Sequence, residues 1–359
     1  MKKASLKTLR RELREKDREI VKLLNERAKV SIVIGELKES GGWEVYDPAQ
    51  ESKVHDHLRE MNEGPLSSSA LKNIFCEIIS SSRALQAPTT VAYLGPEASF
   101  TYLAAQSHFG KSAQYSPQGK IPEVFGEAER ERVSWGVVPG ENSVEGFVKE
   151  TLAGLIITPL NIRAEIFLRI SHCLISACER MEEVKRIYSH PQALAQCQGW
   201  LRKNLPHCPV FGLDSTAVAA KRALEDKEGA AIGSRLAAST YGLKIVARGI
   251  EDSPSNTTRF FVIGKGKSVP TGRDKTSMLF GVSHVPGALY HALEPFAREH
   301  LNLTRIESYP IKDRMWEYLF FVDFAGHIEE ERTKTCLTDM RKVTTFIKVL
   351  GSYPRGDEG

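Results

Sequence analysis

Apolar residues in the first 86 positions recur at steps of three and four, the spacing that marks one face of an α-helix. The longest stripe spans Leu6–Leu37 and stops at Gly41-Gly42. Asp47-Pro48 then provides a cap and a first-turn proline for a second helix, which Gly64-Pro65 ends. A third helix is predicted over Ser67–Leu85. The pattern therefore predicts an all-α region at the start of the chain.

Beyond Ala87-Pro88 the pattern changes, because short apolar runs alternate with helical patterns. Alternation of strand and helix favours an α/β region with largely parallel sheets. The predicted strands are Val91–Leu94, Val133–Val138, Ile170–Ser176, Val184–Tyr188, Gly229–Ile232, Lys244–Ala247 and Arg259–Ile263. The predicted helices are Ser99–Phe109, Ser143–Ala153, Pro191–Leu201 and Ser215–Leu224.

A glycine-rich segment over Gly264–Gly272 indicates a second linker. The remaining pattern reads strand, helix, strand, strand, helix, strand, which is the order of a ferredoxin-like α+β fold. We therefore predict a multidomain chain with a helical domain at 1–87, an α/β domain at 88–270 and a ferredoxin-like domain at 271–359.

Composition narrows the class of protein. The net charge of +4 comes without an isolated Lys/Arg block, which argues against nucleic-acid binding. No apolar run of about 18 residues is present and the charged start does not resemble a leader, so we expect a cytoplasmic protein without a membrane span. The six cysteines form no C-x-x-C pair and indicate reduced thiols.

Polar residues interrupt the apolar faces of all three predicted helices. Arg27 breaks the otherwise apolar series at every seventh position from Leu6 to Ile34, and Lys38 points nearly the same way three turns later. A buried charge is costly unless it is paired or bound, so these residues predict a cationic pocket inside a helical bundle. The simpler alternative is that Arg27 and Lys38 reach solvent from the edge of the stripe. The other polar residues on these faces are Asp47, Gln50, Glu51, Ser82 and Gln86.

Residues 5–86 resemble the all-helical chorismate mutase domain. The resemblance implies that Arg27, Lys38 and Arg10 of the partner subunit hold the two carboxylates of chorismate. It also implies that Lys38 and Gln86 are catalytic, because they face the ether oxygen. The family usually carries Arg at the position of Gln50, so this substrate pocket is expected to be less cationic. The residues implied to bind the substrate hydroxyl or support the pocket are Asp47, Glu51 and Ser82.

Small hydroxyl or amide residues precede several predicted helices of the α/β region. They lie in Gly95–Thr101, Pro139–Ser143, Ser189–Gln192 and Asp214–Thr216, and each is a plausible N-cap. Helix N-termini attract anions through free N–H groups and the helix dipole. One such loop is an ordinary cap, but several at the ends of strands predict a cleft for a small carboxylate.

Other chemistries lack their motifs. The sequence contains no G-x-S-x-G elbow, no Walker motif and no dinucleotide-binding glycine motif after a strand. The ten histidines show no metal-ligand spacing. We therefore predict neither a cofactor nor a metal.

An Arg beside a Thr, as in Thr258-Arg259-Phe260, can hold a carboxylate while the hydroxyl donates a hydrogen bond. Alone, this segment is also an ordinary strand start. Together with four other motifs in the same order, however, it resembles prephenate dehydratase. The matching pieces are Ala92–Pro96, Val138–Ser143, Ser189–Leu194, Ser215–Ala217 and Asn256–Phe260.

This resemblance implies two α/β subdomains around a cleft, like a periplasmic binding protein. Thr258 would be the principal catalytic residue, which assists departure of the ring hydroxyl of prephenate. Because a free Thr is a poor acid, it would stabilise developing charge or relay a proton. Gly140 departs from the family, which usually has an apolar residue there. The implied substrate-binding residues are Glu141, Asn142, Ser143, Ser189, Gln192, Thr258, Arg259 and Phe260.

The C-terminal pattern resembles an ACT domain, a regulatory amino-acid sensor that usually pairs with a second copy. Two segments match the phenylalanine-binding motifs found beside dehydratase domains, although Tyr309 stands where the family commonly has Arg. A ferredoxin-like domain that only dimerises is the alternative. The implied effector-binding residues are Gly287, Ala288, Leu289, Glu307 and Ser308.

We therefore predict a homodimer or homotetramer of phenylalanine biosynthesis. It would convert chorismate to prephenate and prephenate to phenylpyruvate, with phenylalanine as a feedback inhibitor. Nucleic acids and membranes are not expected partners. The alternatives are an arogenate-preferring dehydratase with a decayed mutase domain and a non-catalytic sensor of aromatic acids.

Overall fold

The computed structural model describes residues 5–310 and 318–356. The chain divides into two compact units. The first contains the chain up to Asp47 together with Val54–Thr89 and Phe109–Gln114. The second contains Pro48–Lys53, Thr90–His108 and the chain from Tyr115 onward. The described helices are too short or too polar to cross a membrane.

The predicted helical region is present as α1 (Leu6–Gly41), α2 (Pro48–Glu60) and α3 (Ser68–Gln86). The Ser5 hydroxyl caps α1 by accepting from the Thr8 amide at 3.2 Å. Gly42 ends this helix in the left-handed conformation with φ 66°, which favours glycine. Apolar side chains remain exposed along α1, including Leu13 at 63% and Leu23 at 62%. The described part of this chain therefore leaves the apolar stripe of α1 uncovered.

The α/β region begins with strands and helices that form a first subdomain. Its sheet has the strand order β2-β1-β3-β11-β5, with β4 paired to β3. β1 runs parallel to β3, whereas β11 runs antiparallel to both β3 and β5. The elements are β1 (Thr90–Leu94), α4 (Phe100–Phe109), β2 (Gln114–Gln118), α5 (Ile121–Glu129), β3 (Trp135–Asn142), β4 (Gly146–Phe147), α6 (Lys149–Ile157) and β5 (Asn161–Arg169), followed later in the chain by β11 (Thr257–Gly264).

The second subdomain lies between β5 and β11 in the chain. Its sheet has the order β10-β6-β9-β7-β8, with parallel pairs around β7 and antiparallel pairs around β6. Both sheets are thus mixed, and the prediction of largely parallel sheets was wrong. The elements are β6 (Cys173–Ser176), β7 (Arg186–Ser189), α7 (Pro191–Gln196), α8 (Gln198–Asn204), β8 (Val210–Gly212), α9 (Thr216–Glu225), β9 (Gly229–Gly233), α10 (Arg235–Tyr241) and β10 (Lys244–Arg248).

The C-terminal region forms a sheet of order β13-β14-β12-β15, as the ferredoxin-like pattern predicted. Its inner face shares one hydrophobic core with the first α/β sheet, since Phe261 of β11 and Phe321 and Tyr353 of this region are fully buried in the same cluster. The two regions therefore pack as parts of one unit. The elements are β12 (Asp274–Gly281), α11 (Ala288–Arg298), β13 (Leu303–Pro310), β14 (Tyr318–Ala325), α12 (Glu331–Val343) and β15 (Phe346–Pro354).

The predicted helix at Ser143–Ala153 was wrong at its start, because α6 begins only at Lys149. The preceding residues turn back so that β4 pairs with β3. The side chain of Asn142 explains the turn, because its Oδ1 accepts the backbone N–H groups of Val144 at 2.9 Å and Glu145 at 3.2 Å. Such a local bond offers the backbone an alternative to a helix. Ser143 is therefore not a helix N-cap.

Candidate active sites

The neighbouring strands β3 and β11 carry the central motif residues. In their antiparallel register, Thr258 lies opposite Asn142 and Arg259 lies opposite Glu141. Because successive side chains of a strand point to opposite faces of the sheet, Thr258 and Asn142 share one face while Arg259 and Glu141 share the other. The fold thus separates two adjacent motif residues that were predicted to act on one substrate.

On the first face, Asn142 organises the surroundings of Thr258. The Asn142 amide nitrogen donates to Thr258 Oγ1 at 2.9 Å and to Asn256 Oδ1 at 2.8 Å. The Thr258 hydroxyl therefore accepts from Asn142, and its own hydrogen is directed elsewhere. Thr258 is 8% exposed, so this hydroxyl acts from a largely desolvated position. A preorganised donor in such a place is suited to stabilising charge that develops on a substrate oxygen.

Thr258 and Asn142 lie beside the two chain segments that cross between the sheets. These segments bind each other, since the Ile170 amide donates to Asn256 O at 2.8 Å and the Ile250 amide donates to His172 O at 3.1 Å. The pair is thus held near the junction of the subdomains, where open α/β structures commonly bind ligands.

A hydrogen-bonded bridge joins the two subdomains near this junction. Glu145, whose backbone is held by Asn142, accepts hydrogen bonds from the side-chain amides of Gln192 and Gln196 on α7. Gln196 Oε1 in turn lies 2.9 Å from His172 Nε2. The bridge therefore places Gln192 on the same hydrogen-bonded network as Asn142 and Thr258.

Three further predicted residues have mainly structural contacts. The Ser189 hydroxyl is fully buried and donates to the Ile232 carbonyl at 2.9 Å. Ser143 binds the backbone of Thr257 twice, with its hydroxyl accepting at 3.0 Å and its amide donating at 2.9 Å. Phe260 is 2% exposed and packs in the interior. Their roles in binding substrate stay predictions.

On the opposite face, Arg259 is enclosed by acidic groups. Its guanidinium lies 2.5 Å from Asp323 Oδ2 and 2.7 Å from Glu165 Oε2, and it donates to the Tyr353 hydroxyl at 2.9 Å. Burial lowers the pKa of Arg259, but Tyr353, Asp323 and Glu165 outweigh that effect and hold the pKa well above its usual value. The Arg259 charge is therefore already paired within the protein.

Glu141 lies beside Arg259 and binds Arg305 of β13. Burial raises the pKa of the Glu141 carboxyl, whereas Arg305 and Arg259 oppose the rise. A cavity of about 320 Å³ opens next to these charges, between the α/β sheet and the C-terminal sheet. Its lining includes Ser143, Thr257 and Lys275.

In the helical region, α1 and α3 bring several predicted residues together. Arg27 Nη1 donates to Ser82 Oγ at 2.7 Å, and Gln86 Nε2 donates to Ser31 Oγ at 2.7 Å. Ser31 also reaches the Ser82 carbonyl at 3.5 Å. A line of polar side chains therefore runs between α1 and α3, as expected of a polar pocket. This polar line includes Arg27, Ser82 and Gln86.

The other predicted residues of the helical region are Lys38, Arg10, Asp47, Gln50 and Glu51. Lys38 Nζ donates to the Val45 carbonyl at 2.8 Å. Arg10 is exposed and precedes Arg27 by seventeen residues, which corresponds to about 26 Å along a helix. On the same straight helix, Arg10 could serve such a pocket only in a second copy of the chain. Asp47 and Glu51 are half-buried and Gln50 is exposed.

Three family models match the chain in order. They are chorismate mutase type II over residues 9–87, prephenate dehydratase over 91–268 and the ACT domain over 276–341. A bifunctional chorismate mutase/prephenate dehydratase of Aquifex aeolicus is 47% identical over 98% of both chains, and that of Pseudomonas aeruginosa is 40% identical over 98% of both. The chain belongs to this bifunctional family.

The solved structures agree with this assignment. A prephenate dehydratase from Arthrobacter aurescens in complex with L-Phe aligns with a TM-score of 0.69 at 33% identity, over 76% of this chain and 92% of that chain. The α/β and C-terminal regions are accordingly called the dehydratase region and the ACT domain below, and the helical region is called the mutase region.

The ACT domain brings its two predicted effector motifs to one end of its sheet. On β14, Leu319 pairs with Gly281 at the end of β12 and with Tyr309 near the end of β13. Gly287 adopts φ 81° and caps α11, a conformation that favours glycine. Tyr309 packs against the core shared with the dehydratase region. The motif residues next to these positions are Ala288, Leu289, Glu307 and Ser308.

Sequence reasoning missed several residues of both faces. Asn256 lies within one of the motifs that resemble prephenate dehydratase, and Glu145 lies just beyond another. Proximity to the motifs could therefore have identified both residues. Asp323 and Arg305 had no such signal, because they lie on strands of a different domain. Their part in the site depends on how the two sheets pack.

Proposed function

We propose that the mutase region rearranges chorismate to prephenate and that the dehydratase region converts prephenate to phenylpyruvate, with phenylalanine bound by the ACT domain as an inhibitor. The observation that carries the dehydratase assignment is the buried Thr258–Asn142 pair beside the junction of the subdomains. The observation that supports the mutase assignment is the polar line from Arg27 to Gln86.

In the dehydratase reaction, the bond between the ring and its carboxylate breaks and releases carbon dioxide. The electron pair moves through the ring, and the ring hydroxyl leaves with one added proton as water. Thr258 is proposed to donate a hydrogen bond to the departing oxygen or to relay that proton. Asn142 keeps the Thr258 hydroxyl oriented by donating to its oxygen at 2.9 Å.

The mutase reaction is pericyclic and needs neither a nucleophile nor an acid. Its protein must hold the reactive conformer and stabilise charge on the breaking ether oxygen. Arg27 is proposed to bind a substrate carboxylate, and Lys38 and Gln86 to face the ether oxygen. The Arg27 contact to Ser82 at 2.7 Å supports this role, because it holds the guanidinium at a half-buried position between α1 and α3.

We further propose that the chain acts as a homodimer or homotetramer. The exposed apolar stripe of α1 supports self-association, since exposed contiguous apolar surface marks interaction sites. A reducing compartment such as the cytoplasm is supported by the cysteines, which form no disulfide among the described residues.

The test supplies chorismate, prephenate and arogenate in turn to the parent and to Thr258→Ala. Phenylpyruvate formation should fall at least about hundredfold, because one preorganised donor is lost, while chorismate consumption stays unchanged. Thr258→Ser should retain measurable activity. Thr257→Ala is the matched neighbour control and should remain close to the parent.

Near-normal dehydratase turnover by Thr258→Ala would contradict the assignment of Thr258 as the catalytic residue. Faster turnover of arogenate than of prephenate by the parent would favour an arogenate dehydratase instead. A parent that binds these acids without converting them would be a sensor.

A further inference from the structure

Two pairs of opposite charges face each other where the dehydratase region packs against the ACT domain. Arg259 and Glu141 are cross-strand neighbours on β11 and β3, and Asp323 and Arg305 are cross-strand neighbours on β14 and β13. Arg259 lies 2.5 Å from Asp323, Arg305 binds Glu141, and Arg259 lies 4.0 Å from Glu141. These four residues are called the interdomain quartet.

Three members of the quartet are largely removed from water, whereas the side chain of Arg305 is 31% exposed. The side chains of Asp323, Arg259 and Glu141 are 1%, 5% and 9% exposed. Opposite charges attract more strongly in such surroundings than in water, and an unpaired buried charge is strongly unfavourable. Relative movement of the two sheets would break these pairs, so the quartet resists it.

Neighbouring groups restrain the quartet further. The other carboxylate oxygen of Asp323 accepts from the Ser277 hydroxyl at 2.5 Å. Lys275 of the ACT domain lies 2.8 Å from Glu165, which also binds Arg259. When Lys275 and Glu165 are added to the quartet, the cluster contains three cations and three anions. The ACT side of the contact is therefore anchored in its own sheet.

Each dehydratase member of the quartet is next in sequence to a residue of the candidate site. Arg259 follows Thr258 on β11, and Glu141 precedes Asn142 on β3. A shift of the backbone at Arg259 or Glu141 therefore also moves the adjoining residues of the Thr258–Asn142 pair. On the ACT side, Arg305 lies two residues before Glu307 on β13. The quartet therefore stands between the proposed effector residues and the proposed catalytic pair.

We propose that the interdomain quartet is the connection by which the ACT domain positions the Thr258–Asn142 pair. Arg305 and Asp323 are then positioning residues of the dehydratase, and movement of β13 on effector binding reaches Thr258 through them. This inference rests on the proposed dehydratase site and on phenylalanine as effector.

The test compares the full-length parent with Arg305→Gln, Arg305→Lys and Asp323→Asn. Arg298→Gln is the matched control, because Arg298 pairs with Asp339 on the same domain but away from the quartet. We expect Arg305→Gln to lower dehydratase kcat about tenfold, since slight misplacement of a catalytic group is costly, while KM for prephenate changes less than about twofold. Arg305→Lys should recover about half of the parent kcat because it restores the charge.

The phenylalanine concentration for half-inhibition should rise at least about fivefold in Arg305→Gln, as expected if coupling between the sites is lost. Asp323→Asn should likewise lower the dehydratase kcat while the KM for prephenate changes little. The near-ultraviolet circular dichroism of the same chains reports on folding of the dehydratase region and the ACT domain and should match that of the parent. Chorismate consumption should be unchanged in every variant, because the mutase region lies in a separate compact unit.

A kcat and a phenylalanine response of Arg305→Gln within about twofold of the parent would overturn the proposal, as would an equal loss in Arg298→Gln. A raised KM with unchanged kcat would assign Arg305 to substrate binding and also overturn it. If phenylalanine does not inhibit the parent, the proposed regulation fails, whereas the kcat of Arg305→Gln still decides whether the quartet positions the site. If the near-ultraviolet circular dichroism of Arg305→Gln shows misfolding, Asp323→Asn decides by the same criterion.

Discussion

His172 lies on a segment that crosses between the two sheets of the dehydratase region and is 2% exposed. Its Nε2 lies 2.9 Å from Gln196, while its Nδ1 is buried without a hydrogen-bond partner in the described part of the chain. Burial lowers the pKa of His172 below its ordinary value of 6.5, although Gln196 and Glu251 oppose the change. The folded state therefore keeps this ring neutral.

Protonation of His172 should make stability depend on pH. Since its pKa is lower in the folded chain, the unfolded chain binds the proton first as pH falls. The contribution of neutral His172 to the free energy of unfolding is full above about pH 6.5 and declines below that value. In urea unfolding, the loss of stability between about pH 7.5 and 5.5 should be smaller for His172→Gln than for the parent.

The exposed His207 provides the control, and His207→Gln should keep the parent's pH dependence. An unchanged pH dependence in His172→Gln would show that His172 does not contribute to it.

At the scale of elements, Gly140 shows how β3 and β11 fit together. The register between these strands shifts after Arg259, and Phe260 lies opposite Pro139. A Cβ added at Gly140 would lie 2.4 Å from the ring of Phe261. The Phe261 ring thus occupies the space that a side chain at position 140 would need.

Gly140→Ala should therefore destabilise the dehydratase region by about 1–3 kcal/mol, the usual effect of overpacking a core. The cost should shrink when Phe261→Leu is introduced first, because the smaller side chain relieves the clash. Chemical unfolding of the two single variants and the double variant measures this coupling.

Gly126→Ala is the matched control, since among the described residues its added Cβ would come nearest to Arg130, at an ordinary contact distance of 3.6 Å. Equal costs of Gly140→Ala with and without Phe261 would contradict this account of the glycine.

At the scale of the whole molecule, the long α1 helix has two features that contacts within a single chain do not explain. Its apolar stripe is exposed, and Arg10 lies about 26 Å by helical rise from the polar line at Arg27. Both features are explained if the mutase region pairs with a second copy. The dehydratase pair of Thr258 and Asn142, by contrast, is assembled within one chain.

Leu23→Glu should therefore weaken self-association and reduce chorismate consumption, while phenylpyruvate formation from prephenate persists. The reason is that Leu23 is 62% exposed on the stripe, where a charge would have to be desolvated on pairing. Sedimentation velocity at several protein concentrations and the two activity assays measure the effects.

Lys22→Glu places the same side chain one position away, where the native residue is already charged, and should leave association intact. A Leu23→Glu protein with unchanged association and mutase rate would exclude this face as the interface.

Local sequence patterns were sufficient for part of the architecture. The helical periodicity of residues 6–41 and the βαββαβ order of the last region predicted elements that the structure contains. Strand β5 was missed, because Arg163 and Glu165 interrupt its apolar pattern, yet both are buried in the fold. Hydrophobic periodicity alone predicts that such charged residues face solvent, because the local pattern contains no information about the partners that they meet in the packed fold.

The sequence by itself determined the order of the three regions and the segment that contains Thr258 and Asn142, because both are encoded by local spacing and short motifs. Only the tertiary structure decided that Thr258 and Arg259 serve opposite faces of the sheet. Strand pairing sets which residues meet across a face, and sheet packing sets which charges become buried together. Hence Arg259, expected to hold a substrate carboxylate, has Asp323 and Glu165 as its partners in the fold.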